Sequence, residues 1–118
     1  MSIEIVRREK KLDSGSLAII IDISGDLDFE GEEMLASFVS EFVALKGANV
    51  ALNLEKLNFT NSTGIAVIRK FCAVVMKNGG KLVAYAPNSM VEMVIKLTKA
   101  DLFIKIFPTE SEALKNLA

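Results

Sequence analysis

The sequence has no histidine, no tryptophan and a single cysteine, and these absences narrow its chemistry. One cysteine excludes an internal disulfide framework. A lone thiol at Cys72 without any histidine leaves little basis for a zinc site or a Cys–His nucleophile, so we expect no metal and no cofactor. No spacing of Asp or Glu resembles a paired acid–base site. We therefore expect a binding protein rather than an enzyme.

The chain also lacks an excess of charge of either sign. Lys plus Arg number 14 and Asp plus Glu number 15, giving a net charge of −1. This balance argues against nucleic acid as a partner, because binding to phosphate backbones needs a basic field. No apolar run approaches the roughly 20 residues of a membrane span, and no signal peptide is visible at the N-terminus. We expect no membrane insertion and a cytoplasmic location.

The 118 residues, 51% of them apolar, predict one domain over 1–118 with a core that needs neither disulfide nor metal. Strand and helix patterns alternate as β-β-α-β-α-β-α-β-α. The strands are predicted at 3–8, 17–23, 50–54, 81–86 and 103–107. Such alternation indicates an α/β fold with a mixed central sheet of about five strands and about four helices.

The helix patterns carry start and stop signals. The first helix has apolar residues at helical spacing and ends at a glycine; the residues are Leu35, Phe38, Val39, Phe42, Leu45 and Gly47. The second is predicted from Ser62 to Lys77, stopped by Asn78-Gly79-Gly80. Ser89 and Glu92 form a predicted capping box for the third helix, which closes near Ala100-Asp101.

The most informative motif is Asn61-Ser62-Thr63-Gly64, which lies between a strand pattern and a helix pattern. The flanking apolar residues are Val50, Leu52, Leu54, Leu57 and Phe59 before it, and Ile65, Ile68, Cys72 and Val75 after it. Ser62 and Thr63 therefore stand at a helix N-terminus, where unpaired backbone N–H groups favour negative charge. A phosphate on Ser62 would be well placed there. The alternative is that both residues only cap the helix.

Two other features admit a structural and a functional interpretation. Cys72 lies on the apolar stripe of the second helix, which indicates a small buried hydrophobe rather than a reactive thiol. The third helix is apolar on two faces, with Met90, Met93 and Leu97 on the second face. A second apolar face suggests a partner surface, although methionine also fills cores.

Four motifs in the same order together resemble the STAS domain family, and more narrowly the bacterial anti-sigma factor antagonists. They are the segment Leu54 to Ile65 around Asn61-Ser62-Thr63-Gly64, the segment Gly25-Asp26-Leu27-Asp28, the pair Gly79-Gly80 before a strand, and the strand entry at Leu102-Phe103. The resemblance covers essentially the whole chain. It implies the STAS fold.

The resemblance also implies a role for each matching residue. Ser62 would be phosphorylated by an anti-sigma factor with serine kinase activity, with Thr63 as the alternative acceptor, and a serine phosphatase would reset the cycle. Gly64 would permit close approach of the partner. Asp28, and less directly Asp26, would be contact residues, unless they serve only as turn and cap residues. The partner-binding set is Asp26, Asp28, Asn61, Ser62, Thr63, Gly64, Met90 and Met93.

One departure from the family pattern concerns Asn61, where the family usually has aspartate. Asparagine can still cap the helix, but the negative charge beside Ser62 is lost. The departure favours an alternative function: a non-phosphorylated scaffold STAS protein in a stress-signalling assembly, or a soluble subunit of a transport system. A small enzyme or ligand-binding domain is the third hypothesis.

Overall fold

A computed structural model describes residues 3–40 and 46–117 and shows a mixed β-sheet with helices on both faces. The strands are β1 Ile3–Lys11, β2 Leu17–Leu27, β3 Asn49–Asn53, β4 Leu57–Thr60, β5 Lys81–Tyr85 and β6 Lys105–Phe107. The helices are α1 Phe29–Ser40, α2 Ser62–Lys77, α3 Ser89–Leu97 and α4 Glu110–Leu117, with a short 3₁₀ segment at Ala100–Leu102. The predicted α/β class with a mixed sheet is confirmed.

The sheet order is β1-β2-β3-β5-β6, with β4 paired to the far end of β2. β1 runs antiparallel to β2, and the other pairs are parallel. Each parallel crossover contains a helix, as parallel strands require. The carboxyl ends of β2, β4 and β5 consequently lie towards one edge of the sheet, where the loops that lead into α1, α2 and α3 begin.

β2 is the centre of the sheet, and its sequence explains why. Ile19, Ile21 and Ile23 belong to the larger core, beneath α1, α2 and α3, whereas Ala18 and Ile20 face the smaller core beneath α4. A strand covered on both faces is apolar at successive positions rather than at alternate ones. The prediction of a central strand from this pattern is confirmed.

α2 has the predicted boundaries and the predicted buried stripe. Its buried residues include all four of the predicted apolar positions, Ile65, Ile68, Cys72 and Val75. Asn78 follows the last helical residue, and its backbone N–H donates to Val74 O. The local signals at both ends of this helix are therefore sufficient to fix its length.

Several boundaries differ from those predicted. β4 is a sixth strand, and β2 continues beyond its predicted end at Ile23 to Leu27, through a register shift between Gly25 and Asp26. α3 ends at Leu97 because Thr98 closes it, and β6 begins at Lys105 rather than Phe103. Within the first predicted helix, Phe42 and Leu45 lie outside the described residues.

The predicted capping box of the third helix is wrong by one residue. Asn88 is the N-cap, and its side-chain oxygen accepts a hydrogen bond of 2.8 Å from the Val91 N–H. The Asn88 side-chain amide also donates to Leu57 O at 3.1 Å. Asn88 rather than Ser89 is the cap because its side chain bonds both to the first turn of α3 and to β4.

Candidate partner-binding site at the start of α2

Two helices begin side by side at the candidate site. Leu27, the last residue of β2, pairs in parallel with Thr60, the last residue of β4. Asp28 and Asn61 come next in each chain segment and precede α1 and α2. Because neighbouring strands are about 5 Å apart, the structure brings the two predicted segments, 26–28 and 61–64, together at one edge.

Asp28 and Asn61 have equivalent roles as helix caps. The Asn61 side chain accepts a hydrogen bond of 3.0 Å from the Gly64 N–H, and the Asp28 side chain accepts one of 3.2 Å from the Gly31 N–H. Each cap thus satisfies one of the unpaired donors of its helix. The prediction that Asn61 preserves the cap in place of aspartate is confirmed, and Asp28 has at least a structural role.

Ser62 is free of such a role. It is the first residue of α2, its side chain is exposed, and its hydroxyl makes no hydrogen bond within residues 3–40 and 46–117. Thr63 is half-buried. The interpretation of Ser62 and Thr63 as caps is wrong, because Asn61 caps the helix. An exposed hydroxyl that its own fold does not use is available to another protein.

Gly64 has a structural role that the family resemblance did not imply. It is buried, and a Cβ atom added there would come within 3.0 Å of the Leu27 carbonyl oxygen and the Thr60 hydroxyl. The glycine is therefore required for contact between α2 and β2. It fixes the height of the α2 N-terminus above the sheet.

Thr60 and Phe59 were not among the predicted site residues. Thr60 is almost fully buried, and its hydroxyl donates to Leu27 O at 2.9 Å, joining the two strand ends that carry the site. Phe59 pairs with Asp26 across β4 and β2, and the residue is 38% exposed. Asp26 is half-buried. An exposed aromatic beside the site is a typical anchor for a partner, and its position in the strand pattern was the only sequence signal.

The two methionines proposed as contact residues differ in exposure. Met93 is exposed on α3, whereas Met90 is half-buried and packs against the larger core. The Asn88 bond to Leu57 places the start of α3 beside the start of β4. Both methionines therefore stand on α3, beside β4, rather than at the N-terminus of α2, which holds Ser62.

The displaced pKa values belong to groups outside the site. Hydrogen bonds from Arg8, at 2.5 and 2.9 Å, lower the pKa of Asp22, and Asn53 adds a bond of 2.7 Å. Burial raises the pKa of Tyr85 to about 12, and its hydroxyl has no hydrogen-bond partner among the described residues. Burial also raises the pKa of the Cys72 thiol, and the prediction that Cys72 is a small buried hydrophobe is confirmed.

Comparison with known proteins identifies the family. The model of the STAS domain matches residues 9–113. The chain belongs to the STAS domain family. A protein of Thermotoga maritima described as a candidate anti-sigma factor antagonist is 28% identical over 100 residues, covering 84% of this chain and 88% of the relative.

Two solved structures show the same fold. The crystal structure of a candidate anti-sigma factor antagonist from Thermotoga maritima has a TM-score of 0.79 and 26% identity, covering 94% of this chain and 93% of the other. The phosphorylated form of SpoIIAA, a cell fate determinant of Bacillus, has a TM-score of 0.66 and 17% identity, covering 96% and 100%. At 17% identity the second likeness concerns the fold alone.

Residues 3–40 and 46–117 contain neither a membrane-spanning helix nor a cluster of metal-binding side chains. No helix there has the length and apolar character to cross a membrane. No group of three or more cysteine, aspartate or glutamate side chains there could hold a metal ion.

Proposed function

We propose that this STAS domain is an anti-sigma factor antagonist that acts in the cytoplasm and is switched by phosphorylation of Ser62. In its unmodified state it binds an anti-sigma factor that is also a serine kinase. That kinase phosphorylates Ser62 and ends the complex, and a serine phosphatase restores the binding form. The observation that carries the proposal is the exposed Ser62 hydroxyl at the start of α2, which makes no hydrogen bond within the described part of the chain.

The comparisons support this role. The Thermotoga maritima relative carries the description of anti-sigma factor antagonist, and SpoIIAA, with the same fold, has a structure in a phosphorylated form. The family resemblance of Asn61-Ser62-Thr63-Gly64 assigns the modification to Ser62. The half-buried position of Thr63 makes it the poorer acceptor.

A phosphate on Ser62 is compatible with the fold of this chain. It would add roughly −1.5 to −2 charges and three acceptor oxygens. The N-terminus of α2 favours an exposed negative charge by about 0.3–1 kcal/mol. Because the Ser62 side chain is exposed and Asn61 remains the cap, the phosphate displaces no internal contact.

The phosphate would instead destabilise the complex with the partner. A partner that packs against the Ser62 hydroxyl would have to desolvate a dianion, which costs several kcal/mol unless the charge is paired. Asp28 lies on the neighbouring segment and adds a like charge to the same edge. Since each ~1.4 kcal/mol changes affinity tenfold, modification would release the partner with little change in the domain.

Phosphate transfer from a purified anti-sigma factor kinase of the source organism tests this proposal. We expect incorporation of one phosphate group, mapped to Ser62 by mass spectrometry. Ser62→Ala should abolish it, whereas Thr63→Val and the exposed control Ser89→Ala should not.

Phosphate that persists undiminished in Ser62→Ala would contradict the assignment. Absence of any phosphorylated form, together with a large complex containing the unmodified chain in native lysate, would favour the scaffold function instead. Asn61 in place of aspartate is the feature that motivates this second outcome.

A further inference from the structure

The exposed face of α2 continues well beyond Ser62. Exposed residues recur at intervals of four and three along this helix, at Ser62, Ala66, Arg69, Ala73 and Met76. This spacing keeps them on one face. At 1.5 Å per residue the stripe extends about 21 Å from Ser62 to Met76.

The C-terminal half of this stripe forms one wall of an open groove of about 550 Å³. The other wall is Leu102 and Phe103, at the end of the 3₁₀ segment. We call this feature the α2 groove; its lining includes Ala66, Arg69, Lys70, Ala73, Met76, Leu102 and Phe103.

The α2 groove exposes large apolar side chains. Met76 is 60% exposed, Leu102 75% and Phe103 54%. The Arg69 guanidinium carbon lies 4.2 Å from the centroid of the Phe103 ring, so this cation is held against the groove by a cation–π contact. Apolar side chains gathered on a surface and rimmed by polar groups are typical of protein interaction sites.

The charge of the α2 groove indicates the chemistry of its occupant. Its charged lining residues, Arg69 and Lys70, are both cations. Neither forms an ion pair with any residue in 3–40 or 46–117. By contrast, Lys96, another surface lysine, forms an ion pair with Glu92 at 3.0 Å. A complementary occupant carries carboxylates beside its apolar groups.

The shape of the α2 groove indicates a protein rather than a small ligand. Small-molecule sites enclose roughly 70–90% of their ligand's surface. The α2 groove is too open for that, because Leu102 in its wall is itself 75% exposed. Ala66 and Ala73 keep the helix face low, so that another helix can approach it closely. We propose that the α2 groove binds an acidic amphipathic helix of a partner protein. Arg69, Ala73 and Met76 lie about two to four turns from Ser62 along α2, so binding in this groove does not require the Ser62 hydroxyl.

Two synthetic amphipathic peptides of about 18 residues test the proposal, long enough to form a helix on binding. Both carry leucines at helical spacing; one is flanked by glutamates and the other by lysines. In a ¹H–¹⁵N NMR titration of the full chain, we expect the acidic peptide to bind about tenfold more tightly. The shifts should map to Arg69, Ala73 and Phe103. Raising the salt concentration should weaken binding.

Matched variants separate the groove from general surface effects. Arg69→Glu combined with Lys70→Glu should reverse the peptide preference, whereas the exposed control Lys96→Glu should not. Leu102→Ser should weaken binding of the acidic peptide, and Leu17→Ser, an exposed leucine at the start of β2, should leave it unchanged.

Three results would overturn the proposal: no binding of the acidic peptide at millimolar concentration, equal affinity for both peptides, or shifts that map away from the α2 groove. Saturable binding of laurate in the groove without peptide binding would replace it with a site for a small amphiphile. Ser62→Ala should change none of these results, so the outcome is separate from that of the phosphorylation test.

Discussion

Gly64→Ala is the substitution that most directly tests how the site is built. The added methyl group would come within 3.0 Å of the Leu27 carbonyl oxygen and the Thr60 hydroxyl. These two atoms are hydrogen-bonded to each other at 2.9 Å and belong to paired strand ends. Because neither atom can shift without the other, α2 must move away from the sheet to accommodate the methyl group.

The expected loss of stability is a balance of two terms. Overpacking a well-packed site costs about 1–3 kcal/mol. Alanine has a higher helix propensity than glycine, which stabilises the folded chain by up to about 1 kcal/mol. Because the obstructing atoms belong to paired strand ends, the upper part of the overpacking range applies, about 2–3 kcal/mol. After the propensity term is subtracted, we expect the free energy of unfolding to fall by about 1–2 kcal/mol, seen in urea denaturation as a lower midpoint with an unchanged slope.

Ala66→Gly is the matched control for the propensity term, because Ala66 is exposed two residues further along the same helix. It should cost up to about 1 kcal/mol without any steric effect. If Gly64→Ala proves as stable as the parent protein or more stable, the close contact between α2 and β2 is not what requires glycine. The account of the site's geometry would then be wrong.

Substitutions at three other positions have defined outcomes. Asn61→Ala should cost about 0.5–2 kcal/mol in urea denaturation through loss of the cap, whereas Asn61→Asp should retain it; equal losses would contradict the capping role. For Tyr85, the unfolded chain loses its proton near pH 10 and the folded chain near pH 12, so stability falls as pH rises between these values. Tyr85→Phe should remove that fall and be neutral or stabilising at pH 7, and an unchanged alkaline profile would contradict this. Arg8 lowers the pKa of Asp22 from its ordinary value of 3.8, so the ion pair stabilises the folded chain above pH 3.8 and this stabilisation is lost as the pH falls below that value. Asp22→Asn should therefore flatten the acid limb of the plot of stability against pH. An unaltered limb would show that the pair contributes nothing to stability.

The features that local sequence determines were predictable. α2 begins and ends where Asn61 and Asn78-Gly79-Gly80 indicate, because caps and stops act within a few residues. The apolar pattern of β2 likewise indicated a strand covered on both faces. The family and fold were recognisable because four motifs occur in the expected order.

The features that depend on pairing between distant segments were not predictable. β4 pairs with β2 only beyond the register shift at Gly25 and Asp26, and no local pattern reveals that offset. The requirement for Gly64 arises from Leu27 and Thr60 on two strands. Asn88 displaced Ser89 as the cap of α3 because it also binds Leu57, a contact visible only in the folded chain.

The measurement that tests the central claim most directly is the affinity of the anti-sigma factor for this chain with and without phosphate on Ser62. Isothermal titration should give an affinity at least about tenfold weaker for the phosphorylated form, with Ser62→Ala binding like the unmodified chain. The thermal stability of the phosphorylated domain should be unchanged or slightly higher. Equal affinity of the two forms would contradict the proposal that the exposed Ser62 hydroxyl is the group on which the partner's binding depends.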